Sequence, residues 1–372
     1  MKRISIIGGI VLGLTFSTIQ LTAGWDCGLA FGEAEFAYSL AEFNDPDADP
    51  PMLSEPEGIA LDWRGNIYFS NRKGDGVTMT TNEIIRISPW GKKTVIADLG
   101  PAEPGFNGVL GLTTDWWGNV YAAFVSGNER HGVWKISRYG HKRHLRGSKK
   151  IKMPNDLVFD WRGNLYVTDS FPKDEAGPGL VWRYGKRDRR FKVWASDVLL
   201  APAPEPINPY GFPAPGANGI AFYPPNHIYV ANNEKSIILD IQVRRNGSAG
   251  EVKIVAGAWP PAGPPGILTA PDGLTVDVLG NLYAAVPAAG LAPFPLSPVI
   301  KINPVTHEVT PLFVPSTGFS PLFDFPTSLA FGTRRGDRKT IFVINPTPAG
   351  IGPGSGQAIT QVGVGVRGLP GQ

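Results

Sequence analysis

The sequence predicts an all-β chain that folds as a six-bladed β-propeller with four-stranded blades, and three observations lead to this prediction. Short runs of β-branched and aromatic residues alternate with Gly- and Pro-rich turns, and no segment shows a helical period of any length. One hairpin pattern recurs along the chain, and it is clearest at 153–169, where two apolar runs flank Asp-Trp-Arg-Gly-Asn. The copies start 45 to 63 residues apart, which is typical of a propeller blade with variable loops.

Each copy of the hairpin begins with a residue that we call its opener, and the openers define the six blades. Gly follows the opener in four copies, and the clearest copies continue into an Asp-x-x-Gly-Asn-x-Tyr turn. The fourth copy is looser and the sixth is degenerate. In chain order the openers are Glu57, Leu110, Asn155, Asn218, Asp272 and Thr327.

The remaining strands of a blade follow each hairpin. In the first repeat the third strand is predicted at Glu83–Ser88 and the fourth at Thr94–Ala97. The sixth repeat has its third strand late, within Ala358–Val364. We therefore expect the N-terminal segment Phe36–Phe43 to supply the outermost strand of that blade and to close the ring without an exposed edge.

Three regions follow from this division: a signal peptide at 1–24, an N-terminal segment with the closing strand at 25–51, and the propeller at 52–372. Lys2 and Arg3 precede an apolar run from Ile4 to Leu21 and then small residues, as in a secretory signal. A secreted or periplasmic protein is predicted. The alternative is an uncleaved N-terminal anchor, because the apolar run is nearly long enough to span a bilayer.

Charge and cysteine content restrict the partners. The formal net charge is only +3, so nothing indicates a nucleic-acid partner, and the basic run at 142–150 is interpreted as a solvated strand edge and loop. Cys27 is the single cysteine, so an internal disulfide is excluded. We expect a monomer without membrane contact beyond the possible N-terminal anchor.

Four of the openers carry oxygen donors that suit a metal ion. Innermost strands line the channel of a propeller, so Glu57, Asn155, Asn218 and Asp272 should converge on its axis. Carboxylate and amide oxygens favour Ca²⁺ or another hard divalent cation over Zn²⁺. The alternative is that polar residues before Gly only occupy a solvated turn and bind no metal.

These four residues also carry a family resemblance that spans roughly residues 50–345. The chain resembles the senescence marker protein/gluconolactonase/luciferin-regenerating enzyme family of six-bladed propellers, which has relatives among the diisopropylfluorophosphatases and paraoxonases. That family holds a catalytic divalent metal with Glu, Asn, Asn and Asp from blades one, three, four and five, and the four openers match in identity, order and skipped blade. The resemblance implies that Asp272 is both a ligand and the group that activates water or attacks directly. It also implies that Asp156 is a second acid, although Asp156 could equally cap a turn.

Two departures from the family concern the substrate. Met153 stands where some sugar lactonases have Arg, two places before the blade-three Asn. The phosphotriesterase-like relatives use a His at the mouth, but none of the histidines is an opener; they are His131, His141, His144, His227 and His307. A gluconolactone pocket of the usual kind is therefore not supported.

Two further groups are placed by the hairpin geometry. The second strand of each blade returns to the mouth that the openers surround, so a possible substrate rim is predicted at Asn71, Asp169 and Asn232, or Asn233 beside it. The alternative is that these residues simply start loops. The tryptophans of the hairpin turns lie at the opposite mouth and are interpreted as packing between blades, with a binding role as the alternative; they are Trp63, Trp116, Trp117 and Trp161.

The leading function predicted from the sequence is an exported, calcium-type metal-dependent hydrolase of a lactone or related ester. The alternative is a non-catalytic propeller of the NHL type that binds a protein or a glycan at its central mouth. A strictosidine-synthase-like propeller is a weaker third reading, because it leaves the four oxygen ligands unexplained.

Overall fold

The computed structural model describes residues 29–40, 53–74, 78–171, 177–205, 214–261, 266–287, 297–313, 322–346 and 357–369. Within these ranges the chain forms six antiparallel sheets of four strands each. Regular helix is limited there to two short 3₁₀ turns, Ser148–Lys150 and Val198–Leu200. The predicted six-bladed propeller is confirmed.

The described chain starts with β1 (Ala34–Ser39) and then builds the blades in order, each from its inner to its outer strand. The first three blades are β2 (Leu53–Leu61), β3 (Ile67–Gly74), β4 (Met79–Ile87) and β5 (Lys93–Asp98); β6 (Gly108–Thr114), β7 (Val120–Val125), β8 (Gly132–Ile136) and β9 (Lys142–His144); and β10 (Pro154–Phe159), β11 (Leu165–Asp169), β12 (Gly179–Tyr184) and β13 (Phe191–Asp197). The last three are β14 (Ala217–Tyr223), β15 (His227–Asn232), β16 (Ile237–Val243) and β17 (Ala249–Ala256); β18 (Leu274–Val276), β19 (Leu282–Ala285), β20 (Val299–Ile302) and β21 (Val309–Pro311); and β22 (Ser328–Phe331), β23 (Thr340–Asn345) and β24 (Ala358–Gly363).

The sixth blade takes its outermost strand from the N-terminal segment. β1 pairs antiparallel with β24, so the sheet order is β1-β24-β23-β22. This pairing joins the two ends of the described chain in one sheet and covers the free edge of β24. The paired strand is Ala34–Ser39 rather than the 36–43 expected from the sequence.

The core consists of the surfaces between neighbouring blades. Six clusters of buried apolar residues are found in the described chain, and each spans one of the six blade interfaces, including the interface between the last blade and the first. Successive side chains of a strand point to opposite faces. Tyr68 therefore packs towards blade two while Phe69 packs towards blade six. This double burial explains why strands such as β7 are apolar throughout.

The recurrent Asp-x-x-Gly-Asn-x-Tyr turn is held by its aspartate. The Asp277 carboxylate accepts hydrogen bonds from the N–H groups of Leu279 and Asn281 at 2.8 and 2.9 Å, and from Asn281 Nδ2 at 2.8 Å. It also accepts the Tyr283 hydroxyl at 3.0 Å. Gly280 has a φ of 86°, a left-handed value that glycine adopts without steric cost. The same arrangement recurs at Asp62, Asp115 and Asp160.

The described residues include no helix that is long and apolar enough to cross a membrane. The predicted signal peptide and Cys27 lie outside the described residues.

Candidate active site

The openers lie at irregular points of the inner strands. In blades one to four the pairing of the first two strands shifts register across the opener and the residue after it, at 56–59, 109–112, 154–157 and 217–220. Such β-bulges turn side chains out of the regular alternation and are frequent beside active sites. The openers are thereby freed from strand pairing at what we call the upper mouth of the channel.

The glycine after most openers is required by close packing around the axis. A Cβ at Gly219 would lie 2.1 Å from the carbonyl oxygen of Asp272, and one at Gly58 would lie 2.6 Å from that of Leu110. The inner strands of neighbouring blades therefore touch backbone to backbone at the upper mouth. Thr327 completes the ring by donating its hydroxyl to the carbonyl oxygen of Glu57 at 2.9 Å.

Asp156 occupies the place that glycine has in blades one, two, four and five. Its carboxylate accepts the N–H of Leu157 at 2.8 Å and the N–H of Ile220, from blade four, at 3.1 Å. Room for this side chain is left by Gly111 of blade two, where a Cβ would approach Asp156 Oδ1 to 2.6 Å. Burial raises the pKa of Asp156 to about 7, and the negative charge of Glu57 acts in the same direction.

Three carboxyl groups of the upper mouth thus lie close enough to interact electrostatically. Burial raises the pKa of Asp272 well above its ordinary value, and the charges of Glu57 and Asp156 raise it further, while a hydrogen bond from Asn218 opposes this. Burial likewise raises the pKa of Glu57. The structure therefore brings the predicted residues of blades one, three, four and five together. A bound cation would relieve the repulsion among their carboxyl groups.

Arg72 is a member of this site that the sequence analysis missed. Its guanidinium lies 3.1 Å from Glu57 Oε2 and 3.4 Å from Glu55 Oε2, and it donates to the carbonyl oxygen of Asn107 at 3.2 Å. The Arg72 charge lowers the pKa values of Glu57 and Asp272, against the effect of burial. Arg72 directly follows Asn71, a predicted rim residue, so the position could have been found by extending the rim by one residue.

The donor set fits a hard divalent cation. Carboxylate oxygens of Glu57 and Asp272 and amide oxygens of Asn155 and Asn218 are the ligand types that Ca²⁺ takes. The Asn155 Nδ2 group donates a hydrogen bond to Ser170 Oγ at 2.9 Å. The side-chain oxygen of Asn155, Oδ1, is therefore the atom that would bind a cation. The described residues hold no group of three or more His, Cys, Asp or Glu side chains in metal-binding geometry, so a site here depends on the two asparagines.

The residues predicted as a substrate rim are buried and bonded within the protein. Asn71 donates to Glu83 at 3.1 Å, and Asp169 accepts the N–H groups of Lys152 and Met153 at 3.0 and 2.8 Å. Asn232 donates to two backbone carbonyl oxygens of the loop that precedes blade four. These contacts favour the reading in which the three side chains fix loops at the upper mouth.

Asn233, the alternative to Asn232, lies nearer to the site. Its Nδ2 donates to the carbonyl oxygens of Ala270 and Pro271 at 3.1 and 3.4 Å, immediately before Asp272. Its Oδ1 is buried without a hydrogen-bond donor among the described residues. Asn233 therefore positions the Asp272 loop and retains one unused acceptor.

The comparisons with known proteins concern the fold. No family model and no curated protein sequence matches the chain. Among solved structures, a luciferin-regenerating enzyme is 19% identical, with 91% of this chain and 97% of that chain covered and a TM-score of 0.58. A calcium-binding protein, regucalcin, from Agrobacterium tumefaciens is 15% identical, with 86% and 93% covered and a TM-score of 0.58. A gluconolactonase from Xanthomonas campestris is 15% identical, with 90% and 95% covered and a TM-score of 0.55.

These structures span nearly the whole described ring and belong to the family named from the openers. At identities below 20% they establish the architecture of the chain and not its chemistry. The chain is thus a six-bladed propeller whose structural neighbours are luciferin-regenerating enzyme, regucalcin and gluconolactonase.

Proposed function

We propose that the protein is a divalent-metal-dependent hydrolase of a lactone or related ester, with a calcium-type ion at the upper mouth. One observation carries this proposal: Glu57, Asp156 and Asp272 come from three different blades and interact electrostatically as desolvated carboxyl groups, with Asn218 hydrogen-bonded to Asp272 and the buried Asn155 next to Asp156 in the chain. Such a cluster costs stability without a cation and is therefore typical of a functional site. Membership of the gluconolactonase-like family is part of the same proposal.

Each residue of the site has a defined part in this proposal. Glu57, Asn155, Asn218 and Asp272 would hold the ion, which when bound supplies Lewis-acid polarisation of a carbonyl oxygen. Asp272 would remove a proton from water, and its raised pKa makes its ionised carboxylate a stronger base than an ordinary aspartate. Asp156 is tied to two backbone N–H groups, so its carboxyl group is fixed in place to orient the water or the substrate.

Arg72 gives the site a cation that the family resemblance does not include. Its ion pair with Glu57 is buried on the arginine side, where the side chain is 10% exposed. Since Met153 replaces the arginine that some sugar lactonases carry in blade three, the guanidinium of this site comes from blade one. We infer a substrate that differs in shape from gluconolactone but has the same ester chemistry.

The metal is tested first, by elemental analysis of the purified protein after incubation with calcium and desalting. We expect about one calcium per chain, and loss of that calcium in Glu57→Gln/Asp272→Asn. The matched control, Glu251→Gln/Asp188→Asn, changes two exposed acids away from the upper mouth and should retain it. A wild type that binds no calcium, or a double variant that still binds it, contradicts the assignment.

Turnover is tested separately with a panel of lactones and esters. Asp272→Asn should abolish hydrolysis while its circular dichroism spectrum stays that of the wild type. Asp188→Asn is the control and should remain active. Unchanged hydrolysis in Asp272→Asn would remove Asp272 from the mechanism.

A non-catalytic propeller that binds a protein or glycan at the upper mouth is the second candidate. The observation that favours it is the Arg72–Glu57 ion pair, which already neutralises one of the four proposed ligands. A wild type without bound metal and without hydrolysis would move the conclusion to this candidate. Export of the protein is proposed on the sequence of residues 1–24 alone.

A further inference from the structure

The face opposite the candidate active site consists of hairpin tips. Antiparallel pairing puts the turns between the first and second strands, and between the third and fourth strands, at the end of each blade remote from the openers. We call this surface the lower face. Neighbouring inner turns touch there: Trp63 stacks on Trp116 at 6.4 Å, and Thr333 donates its hydroxyl to the carbonyl oxygen of Asp62.

The tryptophans of the inner turns are exposed, which corrects the expectation that they pack between blades. Trp63 is 51% exposed, Trp116 73%, and Trp117 and Trp161 64% each. Trp63 and Trp116 do touch across blades one and two, and Trp161 donates Nε1 to the carbonyl oxygen of Pro225. Most of their surface nevertheless faces solvent, because the turn aspartates hold the hairpin tips and the rings project beyond them.

Exposed apolar side chains are concentrated on the lower face. In the described chain, every large apolar side chain that is at least 70% exposed lies in one of these turns. They come from blades one, two and five and include aliphatic as well as aromatic residues. They are Trp90, Trp116, Tyr139, Leu279 and Val305.

The same turns carry a large excess of positive charge. The exposed basic residues of the turns, with Lys142 at the start of β9 and Arg367 from the segment after β24 that contacts Val278, are Arg64, Lys92, Lys142, Arg162, Lys186, Arg187, Arg189, Arg190, Arg244, Arg245, Arg334, Arg335, Arg338, Lys339 and Arg367. The exposed acids of these turns are Asp188, which pairs with Lys192 at 2.9 Å, and Glu308. Because the whole chain has a net charge of only +3, the positive charge is concentrated on this face.

Arginine and aromatic residues are interleaved on the lower face. The guanidinium carbons of Arg64, Arg138 and Arg162 lie 4.8, 4.7 and 4.9 Å from the ring centroids of the adjacent Trp63, Tyr139 and Trp161. Aromatic rings with a polar edge prefer the headgroup region of a bilayer, and adjacent guanidinium groups can pair with lipid phosphates there.

We propose that the lower face docks on an anionic phospholipid membrane surface. Charge complementarity favours an anionic partner. The exposed Leu279 and Val305 favour lipid over nucleic acid, because aliphatic side chains can insert among lipid chains but do not stack on bases as aromatic rings do. Exposed tips on several blades around one face fit a broad surface better than a groove-binding ligand. The proposal is independent of the chemistry at the upper mouth, which would face away from the membrane.

This proposal revises the expectation of no membrane contact beyond the N-terminus. That expectation rested on the net charge of the chain, which averages the two faces of the ring. The turn residues are far apart in sequence, so only the fold shows that they share one surface.

The test is sedimentation of the full chain with vesicles of phosphatidylcholine alone or with 30 mol% phosphatidylserine, at 0.1 M salt. Arg64→Ser/Arg162→Ser/Arg335→Ser should lower the partition coefficient on anionic vesicles about 100-fold, since each charge near such a surface contributes about fivefold. Its matched control, Arg146→Ser/Lys149→Ser/Lys150→Ser, removes three basic residues of the upper side and should bind as the wild type does. Any binding by the N-terminal apolar run is common to all variants and appears on the neutral vesicles.

The apolar contribution is tested with Trp90→Ser/Trp116→Ser/Leu279→Ser, against Phe106→Ser/Val198→Ser/Ile267→Ser from the upper side. The first variant should lose at least tenfold in binding and the second should lose none, with thermal unfolding confirming that both are folded. The proposal is overturned if wild type shows no preference for anionic vesicles, or if lower-face and control variants bind alike. It is also overturned if a DNA duplex competes with the vesicles for the wild-type protein and the apolar lower-face variant binds anionic vesicles as strongly as the wild type does.

Discussion

Asp156→Asn is expected to stabilise the metal-free protein at pH 8 and to destabilise it at pH 4, so that the two stability curves cross. The Asp156 carboxyl has a pKa of about 7 in the folded chain against an ordinary value of 3.8. Between these values the folded state holds a proton that the unfolded state has lost. The stability contributed by this proton is fully present below about pH 4 and is lost as the pH rises to about 7.

The magnitude follows from the same two pKa values. One pKa unit corresponds to about 1.4 kcal/mol, so ionising Asp156 in the folded state costs at most about 4 kcal/mol. Asparagine removes this cost but can accept only one of the two hydrogen bonds from Leu157 and Ile220, a loss of about 1 kcal/mol. The net gain at pH 8 is then about 2–3 kcal/mol, and the net loss at pH 4 is about 1 kcal/mol.

The assay is urea unfolding in EDTA at pH 4, 6 and 8, followed by tryptophan fluorescence. Asp188→Asn changes an exposed acid of the lower face; it is the control, and its curve should not cross that of the wild type. Since Asp156 also raises the pKa of Asp272, neutralising it should in addition reduce the pH dependence contributed by Asp272. Parallel curves for wild type and Asp156→Asn from pH 4 to pH 8 would refute the assignment of a desolvated carboxyl group on the axis.

Three further predictions concern the scaffold. Asp277→Ala leaves two backbone N–H groups and a buried tyrosine hydroxyl without their acceptor and should cost about 4 kcal/mol in calorimetry, whereas Asp188→Ala should cost under 0.5 kcal/mol. Gly219→Ala pushes a methyl group against the inner strand of blade five, so it should lower the free energy of unfolding by about 2 kcal/mol and weaken calcium binding. A calcium affinity equal to that of the wild type would contradict the backbone contact. The hydrogen bond between His227 and Asp240 raises the pKa of His227. This pair therefore stabilises the fold fully below about pH 6.5, and the stabilisation is lost as the pH rises through the raised pKa. Asp240→Asn should therefore lower the melting temperature at pH 6 by the equivalent of under 1 kcal/mol and have no such effect at pH 9.

Much of the architecture could be read from the sequence because the propeller repeats itself. The Asp-x-x-Gly-Asn-x-Tyr turn recurs with its chemistry intact, since each copy must satisfy the same buried carboxylate with the same donors. The looser copy in blade four lacks this chemistry, because Tyr223 stands where the other turns have aspartate. Rules of this kind act between residues of a single hairpin, so they can be recognised from the sequence alone.

The candidate site could be predicted only in part. The openers were found because each begins a repeat, and the structure brings Glu57 and Asp272 together from blades one and five. The ion pair of Arg72 with Glu57 was missed because it depends on a β-bulge, which changes which residues of β2 and β3 face each other. A substrate role of the rim residues stays a prediction, and their bonding depends on the fold in the same way: Asp169 ends its strand as expected, and the preceding loop folds back so that its N–H groups donate to the Asp169 carboxylate.

The sequence by itself determined the repeat, the number of blades and the residue types at the openers, because hydrophobic period and turn chemistry are local properties. Tertiary structure alone decided which charges share a surface. Around the ring it collects residues that are far apart in the chain, with desolvated acids at the upper mouth and exposed Arg and Trp on the lower face. Desolvation and long-range electrostatics depend on distance in space, and a nearly neutral composition cannot show how the charges are divided.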